Sequence, residues 1–322
     1  MNPLSRLINP RLPMAAIGLD RGVASAVLLQ KQRQQFSLKR AATITLPEGL
    51  LHPSFDEPNI PSPGELADAL AELVTSAGLQ RQRRWSVALP EAAMRAVILT
   101  LDSAPTSRGE LDQVLRWKTE RGFGATFDEL RVRRERLAPD ASGRARYLAV
   151  GAHVDVLAEY EKVFEALGWR VGLILPRHAG EERWLTRTHD GSRADSDALL
   201  LSSHAEGFTA VMLRAGQPLI VRSVLCEDAD RADELYRLLL YYRDRIQSAT
   251  ASGAAAAPHS LERYLVIGTG FSLSQVGDVI TETLGIDARA LTAPDVGLQL
   301  PTQELSFDAI AAPAGLAALA WA

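Results

Sequence analysis

The sequence has one cysteine, few aromatic residues and little net charge. Cys226 is the only cysteine among 322 residues, so the chain can form neither an internal disulfide nor a thiolate metal cluster, which favours a reducing compartment. Aromatic residues make up 6% of the chain and the net charge is −4, so no global basic excess favours a nucleic-acid partner. No apolar run reaches the roughly 18 residues that a membrane span needs.

Several signatures of catalysis are also missing. Neither the phosphate loop G-x-x-x-x-G-K-[ST] nor the hydrolase turn G-x-S-x-G is present. The six histidines are scattered, without the spacing of a zinc site. No residue is therefore identified as catalytic. What the chain does have is 47% hydrophobic residues, and its length is enough for about two domains.

Strand and helix patterns repeat along the chain. Residues 14–47 predict three consecutive short strands, which a helix and the strand 85–90 follow. The same order restarts near residue 197, where three more strands precede a helix at 228–247 and the strand "RYLVIG". The pattern predicts an internal duplication of an α/β half, with ligands at the strand ends.

Two helix starts carry capping signals. Ser62 precedes a proline and stands three residues before Glu65, which predicts a capping box. Thr106 is expected to cap the next helix. Both helices follow loops, so the caps would fix where each helix begins.

The stretch "IGLDRGVAS", residues 17–25, connects the first two strands. Such a turn is typical of a plain β-hairpin. It is also typical of a loop that holds phosphate through backbone amides, and Ser25 would then face the nucleotide. These residues alone leave both interpretations open.

Six segments, in this order and spacing, resemble the PilM family, the cytoplasmic actin-like proteins of type IV pilus assembly. They are "IGLDRGVASAVLL", "WSVALPEAAMRAVILTL", "ELDQVLRWKTERGFGATFDEL", "YLAVGAHVDVLAEYEKVFEALGWRVGLI", "YLVIGTGFSLSQVGDVITETLGI" and the terminal "GLAAL". The resemblance implies an α/β, actin-like (ribonuclease H-like) duplicated two-domain fold with a small α/β module inserted in the first half. The expected parts are a leader at 1–13, a first half at 14–92 plus 176–190, the inserted module at 93–175, and a second half at 191–322 with a flexible loop at 248–260.

The leader has three prolines and no long apolar region, so it is not expected to be a signal peptide. It is either a frayed terminus or a segment that orders against a partner.

The resemblance also implies a role and a partner. The chain would be a scaffold at the cytoplasmic face of the inner membrane that binds the cytoplasmic tail of a PilN-type membrane protein and couples it to the pilus motor. The groove for that tail would lie between the first half and the inserted module, roughly 93–175. A GspL-type protein of type II secretion and an FtsA-type cell-division adaptor are alternatives. The former carries its own membrane span, and the latter ends in a basic amphipathic helix.

ATP and Mg²⁺ are the cofactors that the resemblance implies. Asp20 would hold the metal through water, and Gly22 and Ser25 would complete the first phosphate loop. Gly268 and Gly270 stand at the adenosine-side loop. These five positions are the expected cofactor-binding residues.

The second phosphate loop departs from the family pattern, because residues 203–205 read Ser-His-Ala instead of Asp-[IVL]-Gly. This predicts a degenerate site and a pseudo-ATPase. The enzyme alternative is an active ATPase or a sugar-kinase-like phosphotransferase.

Two weaker patterns remain open. "GTGFSL" resembles a truncated dinucleotide fingerprint, with Asp287 about twenty residues further on. Basic runs at 81–84 and 131–136 are typical of a solvated edge, and would otherwise indicate contact with anionic lipid.

Overall fold

The computed structural model describes residues 12–33, 35–140, 142–187, 196–251, 261–301 and 305–321. Contacts between residues divide the chain into two compact units. Unit 1 comprises Met1–Ala93, Asp155–Arg187 and Val296–Ala322, and unit 2 comprises Met94–Val154 and Thr188–Asp295.

The described strands and α-helices begin with the predicted three strands, helix and strand, and the same series recurs from β9. They are β1 (Ala15–Leu19), β2 (Val23–Gln32), β3 (Gln35–Thr45), α1 (Pro63–Ser76), β4 (Arg84–Leu89), β5 (Arg95–Thr100), α2 (Arg108–Phe123), β6 (Leu130–Leu137), β7 (Arg146–His153), α3 (Val154–Ala166), β8 (Arg170–Pro176), α4 (Arg177–Leu185), β9 (Asp197–His204), β10 (Gly207–Arg214), β11 (Gln217–Leu225), α5 (Arg231–Ala251), β12 (Leu261–Ile267), α6 (Leu273–Leu284), β13 (Arg289–Ala290), β14 (Leu298–Gln299) and α7 (Phe307–Ala318).

Unit 1 contains a six-stranded sheet in the order β14-β3-β2-β1-β4-β8. β1, β2 and β3 form an antiparallel meander, while β4 runs parallel to β1 and β8 runs parallel to β4. Every residue of β1 is buried, as expected for a central strand that is covered on both faces. The loop between β1 and β2 follows β1 in the chain and so lies at the carboxyl end of that strand, where open α/β sheets commonly bind ligands.

The small residues of α7 allow it to pack closely on α4 in unit 1. A Cβ added at Gly315 would lie 1.8 Å from the backbone oxygen of Gly180, and one added at Gly180 would lie 2.1 Å from the oxygen of Ala312. The indole of Trp184 is fully buried and donates to the oxygen of Ala311 at 2.8 Å. The two helices thus touch through their backbones, which only glycine permits at these positions.

Unit 2 contains a five-stranded sheet in the order β11-β10-β9-β12-β13. β9, β10 and β11 are antiparallel, and β12 runs parallel to β9. Its core joins side chains from the sheet to the buried faces of α5 and α6. This order reproduces β3-β2-β1-β4 of unit 1, so the repeat that the sequence predicts is present as two sheets of the same topology.

Unit 2 also holds a three-stranded antiparallel sheet in the order β5-β7-β6. Helix α2 lies close against it, because a Cβ added at Gly122 would lie 3.3 Å from Val97 Cγ2. Phe123, at the end of α2, is fully buried. This sheet and α2 correspond to the first part of the predicted module at 93–175.

The grouping of the last elements differs from the predicted boundaries. Residues 155–175, expected in the inserted module, belong to unit 1, because β8 pairs with β4. Residues 296–322, expected in the second half, also belong to unit 1. The reason is that β14 pairs with β3 and α7 packs on α4 and on the sheet of unit 1.

Both capping predictions need correction. Ser62 is the N-cap of α1, but its side chain makes no capping hydrogen bond, so the box with Glu65 does not form. Helix α2 is capped by Ser107, whose hydroxyl accepts from the amide of Glu110 at 3.1 Å. Thr106 instead donates through its amide and its hydroxyl to the Glu110 carboxylate, 2.6 Å in each case.

The predicted flexible loop at 248–260 is wrong for its first four residues, because α5 continues to Ala251. Residues 252–260 lie outside the described residues, as do residues 1–11 of the predicted leader.

Candidate functional site

The loop between β1 and β2 is a tight hairpin. The Asp20 amide donates to the oxygen of Val23 at 2.9 Å, and the oxygen of Gly22 accepts from the Leu46 amide at 2.9 Å. Asp20 Oδ1 accepts from the Arg21 amide at 2.8 Å. The loop thus has the hairpin form, and its acidic residue lies at the carboxyl end of β1.

Asp20 is paired with an arginine that sequence reasoning missed. Arg177, the first residue of α4, donates from Nη1 to Asp20 Oδ2. Its other terminal nitrogen lies 3.2 Å from Oε1 of the fully buried Glu181. Burial alone would lower the pKa of Arg177, but Glu181, Asp20 and Glu91 together raise it above its ordinary value. The guanidinium therefore stays charged beside Asp20.

This ion pair bears on the expected metal site. A fixed guanidinium supplies the counter-charge that Mg²⁺ would otherwise bring to the carboxylate, so the metal would have to compete with it. Among the described residues, no group of three or more His, Cys, Asp or Glu side chains is arranged to hold a metal ion. The donor set around Asp20 thus fits an ion pair better than a magnesium site.

A second buried pair holds α4 next to the same loop. Oε1 of Glu91 accepts from the His178 amide at 2.6 Å, and Oε2 lies 2.8 Å from His178 Nδ1. Burial alone would lower the pKa of His178, but the Glu91 carboxylate outweighs it and raises the pKa. Two consecutive residues, Arg177 and His178, therefore attach the start of α4 to acidic partners in unit 1.

The other two residues predicted for the first loop have different surroundings. Gly22 is exposed, its φ is not in the left-handed region, and a Cβ there would meet nothing within 4 Å. Ser25 is only 2% exposed and pairs with Gly18 across the hairpin. Its Oγ lies 2.7 Å from where a Gly18 Cβ would be, beside Pro313 of α7. Ser25 thus faces the interior of unit 1, whereas Gly22 is open to solvent.

In unit 2, the turn between β9 and β10 carries the predicted second phosphate loop, residues 203–205. A buried arginine, Arg231 at the start of α5, fills the space beneath it and is 2% exposed. Its Nη1 donates to Ser203 Oγ at 2.7 Å and to the oxygen of Gly207, and Nη2 donates to the oxygen of His204 at 2.8 Å. Its Nε donates to Asp228 Oδ1 at 2.7 Å.

The two glycines of the adenosine-side loop pack against this turn. A Cβ at Gly268, where φ is +92°, would lie 2.5 Å from the oxygen of Ser203. A Cβ at Gly270, where φ is +105°, would lie 2.8 Å from the guanidinium carbon of Arg231. Ser203 Oγ also donates to the oxygen of Thr269. Packing against Ser203 therefore requires glycine at 268, and the positive φ beside Arg231 favours glycine at 270, independently of any ligand.

Neither arginine could be singled out from the sequence alone. Arg177 lies 157 positions from Asp20. The available signals were local: Glu181 follows Arg177 by four positions in a short helix, and Asp228 precedes Arg231 by three. Such pairs are common on exposed helices, so they do not predict burial.

Comparison with family profiles finds no match, and comparison with curated proteins finds none. Solved structures do match. One chain of the "PilM-PilN type IV pilus biogenesis complex" has a TM-score of 0.69 and 19% identity, with 97% of this chain and 99% of that chain covered. A Bacteroides thetaiotaomicron protein described as having an actin-like ATPase fold and unknown function has a TM-score of 0.51 and 9% identity, with 97% and 98% covered.

The chain has an actin-like ATPase fold. This confirms the predicted fold class and, at the level of the fold, the resemblance to the PilM family. The candidate site loops are the β1–β2 loop of unit 1, with Asp20 and Gly22, and the β9–β10 turn and β12–α6 loop of unit 2, the latter with Gly268 and Gly270. No helix among the described residues is long and apolar enough to cross a membrane.

Proposed function

We propose that the chain is a PilM-like scaffold of the type IV pilus assembly platform, and that it binds the cytoplasmic tail of a PilN-type inner-membrane protein. One observation carries the proposal. The similarity to a chain of the PilM–PilN complex extends over 97% of this chain and 99% of that one. The match therefore includes inserted and terminal elements as well as the common core, so the likeness is not limited to one half.

We further propose that the nucleotide site is degenerate. Three contacts support this. Arg177 is ion-paired with Asp20, Ser25 is turned into the core of unit 1, and Arg231 occupies the turn at 203–205. An ATPase would need a carboxylate that is free to hold the metal and backbone amides that are free to hold phosphates. On this proposal the protein works through its contacts with other proteins, and turnover of ATP is not part of its function.

The proposed location is the cytoplasmic face of the inner membrane. Association with the membrane would come through the PilN-type partner, and pilus motor proteins would be further partners. The groove for the partner's tail, expected between the first half and the inserted module at roughly 93–175, stays a prediction.

Calorimetric titration with a synthetic peptide of the PilN-type tail tests the scaffold directly. We expect saturable binding of the peptide and none of a scrambled peptide with the same composition. Asp20→Ala serves as a second comparison. If the scaffold needs no nucleotide, this variant and the unchanged protein should bind the peptide with the same dissociation constant. Absence of binding, or binding that requires both Asp20 and added Mg·ATP, would contradict the proposal.

An active ATPase is the second candidate. The observation in its favour is the position of Asp20 at the carboxyl end of β1, next to an exposed Gly22 that leaves open space. Steady release of phosphate from ATP that Asp20→Ala abolishes would establish this alternative.

A further inference from the structure

A pocket of about 550 Å³ opens beside the start of α2 in unit 2. The loop before α2, the end of β6, the loop between β6 and β7, and β7 itself form its walls. Its volume lies in the range of small-molecule sites, about 300–1,000 Å³. It is separate from the three loops of the candidate nucleotide site.

Two of the three arginines that line this pocket have no counter-ion among the described residues. Its lining includes Arg108, Arg136 and Arg144 but a single carboxylate, Asp102. Lys118 Nζ contacts Asp102 at 2.8 Å, and Arg144 Nε contacts an aspartate in the β6–β7 loop at 2.7 Å. Within the described part of the chain, Arg108 and Arg136 have neither an ion pair nor a side-chain hydrogen bond. Both remain available to an anion.

Hydroxyl groups and one aromatic ring complete the lining. Thr106 and Ser107 border the pocket on the side of α2. Tyr147 lies directly opposite Arg136 across the β6–β7 pair, so the two side chains are neighbours on one face of the sheet. A guanidinium fork matches the geometry of phosphate oxygens, and a tyrosine ring offers a surface on which a flat group can stack.

We propose that this pocket, whose lining combines the uncompensated guanidinium groups of Arg108 and Arg136 with the ring of Tyr147, binds a small molecule that carries a phosphate monoester next to a flat ring. The two arginines would hold the phosphate and the tyrosine would contact the ring. The pocket needs no residue of the candidate nucleotide site, so this inference is independent of the proposed scaffold function.

Phenyl phosphate is the probe that tests this proposal, with inorganic phosphate and phenol for comparison. Titrated into the full chain by calorimetry, phenyl phosphate should bind with a dissociation constant of about 1 mM or below, and inorganic phosphate and phenol should each bind more weakly. Arg108→Ala and Arg136→Ala should each weaken binding by about tenfold or more, because each removes charge-assisted hydrogen bonds to the phosphate.

Arg133→Ala is the matched control. Arg133 is an exposed arginine on the same strand as Arg136, and strand alternation puts it on the opposite face of the sheet. This variant should change the affinity less than about twofold. Thermal melting of all variants separates lost binding from lost folding, and Arg108→Gln or Arg136→Gln replaces the corresponding alanine variant if it melts early.

Three outcomes would overturn the proposal. One is no heat with phenyl phosphate up to about 10 mM, which is weaker than a specific site of this size should give. Another is an equal loss in Arg133→Ala, which would indicate a diffuse positive surface. The third is binding to vesicles that contain phosphatidylserine without binding of phenyl phosphate, which would assign the arginines to a membrane surface.

Discussion

Arg231→Met removes the group on which the β9–β10 turn depends. The guanidinium donates to Ser203 Oγ and to the backbone oxygens of His204 and Gly207, and the residue is 2% exposed. Methionine replaces much of the apolar stem but none of the donors, so these acceptors lose the hydrogen bonds that Arg231 donates. Water cannot easily substitute at a position that is so well covered.

The magnitude follows from these contacts. Hydrogen bonds to a charged group contribute about 1.5–3 kcal/mol each, but removal of a buried cation also recovers part of its desolvation cost. The pair with Asp228 adds little, because the Asp228 side chain is 81% exposed. We expect a net loss of about 3 kcal/mol in the stability of unit 2.

Helix α5 itself offers a matched control. Arg237 pairs with Glu234 at the same i,i+3 spacing as Arg231 with Asp228, but its side chain is 65% exposed. Arg237→Met should therefore cost less than about 0.5 kcal/mol.

Hydrogen exchange measured by mass spectrometry on peptides from β9 and β10 gives the comparison. A loss of 3 kcal/mol should speed the exchange of their protected amides by about a hundredfold in Arg231→Met. Exchange in Arg237→Met should stay close to that of the unchanged protein. If the exchange rates of these amides differ by less than about fivefold between the two variants, Arg231 does not hold the turn.

Two further predictions concern unit 1. Because Glu91 raises the folded-state pKa of His178, the stability from this pair should be fully present below about pH 6.5 and lost as the pH rises through the raised value. The free energy of unfolding, measured in urea by tryptophan fluorescence, should therefore fall with pH in this range, and His178→Gln should remove that dependence. Gly180→Ala should lower the unfolding free energy by about 3 kcal/mol or more, because its Cβ would overlap α7, whereas Gly64→Ala in α1, where a Cβ meets nothing, should be neutral or slightly stabilising in the same assay.

The order of elements could be predicted because hydrophobic periodicity is a local property. The run of three strands, a helix and a strand appears twice, and each copy folds into a sheet of the same topology. The assignment of α7 to unit 1 could not be predicted in this way. A helix of small residues has no distinct apolar face from which its packing partner could be predicted. Its position depends on the fit between Gly315 and Gly180, which is distant in the sequence.

The candidate site was predictable as a set of loops, but not in its charge balance. The family resemblance was enough to select Asp20 and the two glycines at 268 and 270. Arg177 and Arg231 could not, because their partners and their burial are set by tertiary packing. The orientation of Ser25 could not be predicted either. Four consecutive residues of β2 from Ala24 are buried, so strand alternation does not tell which face of the strand is exposed to solvent.

Calorimetric titration of Mg·ATP, with Asp20→Ala alongside, tests the central claim that Arg177 and Arg231 have closed the nucleotide site. We expect no heat of binding up to millimolar ATP and no difference between the two proteins, because Asp20 is engaged by Arg177 and the turn at 203–205 by Arg231. Micromolar binding of Mg·ATP that is lost in Asp20→Ala would contradict it, since the β1–β2 loop would then be a working phosphate loop.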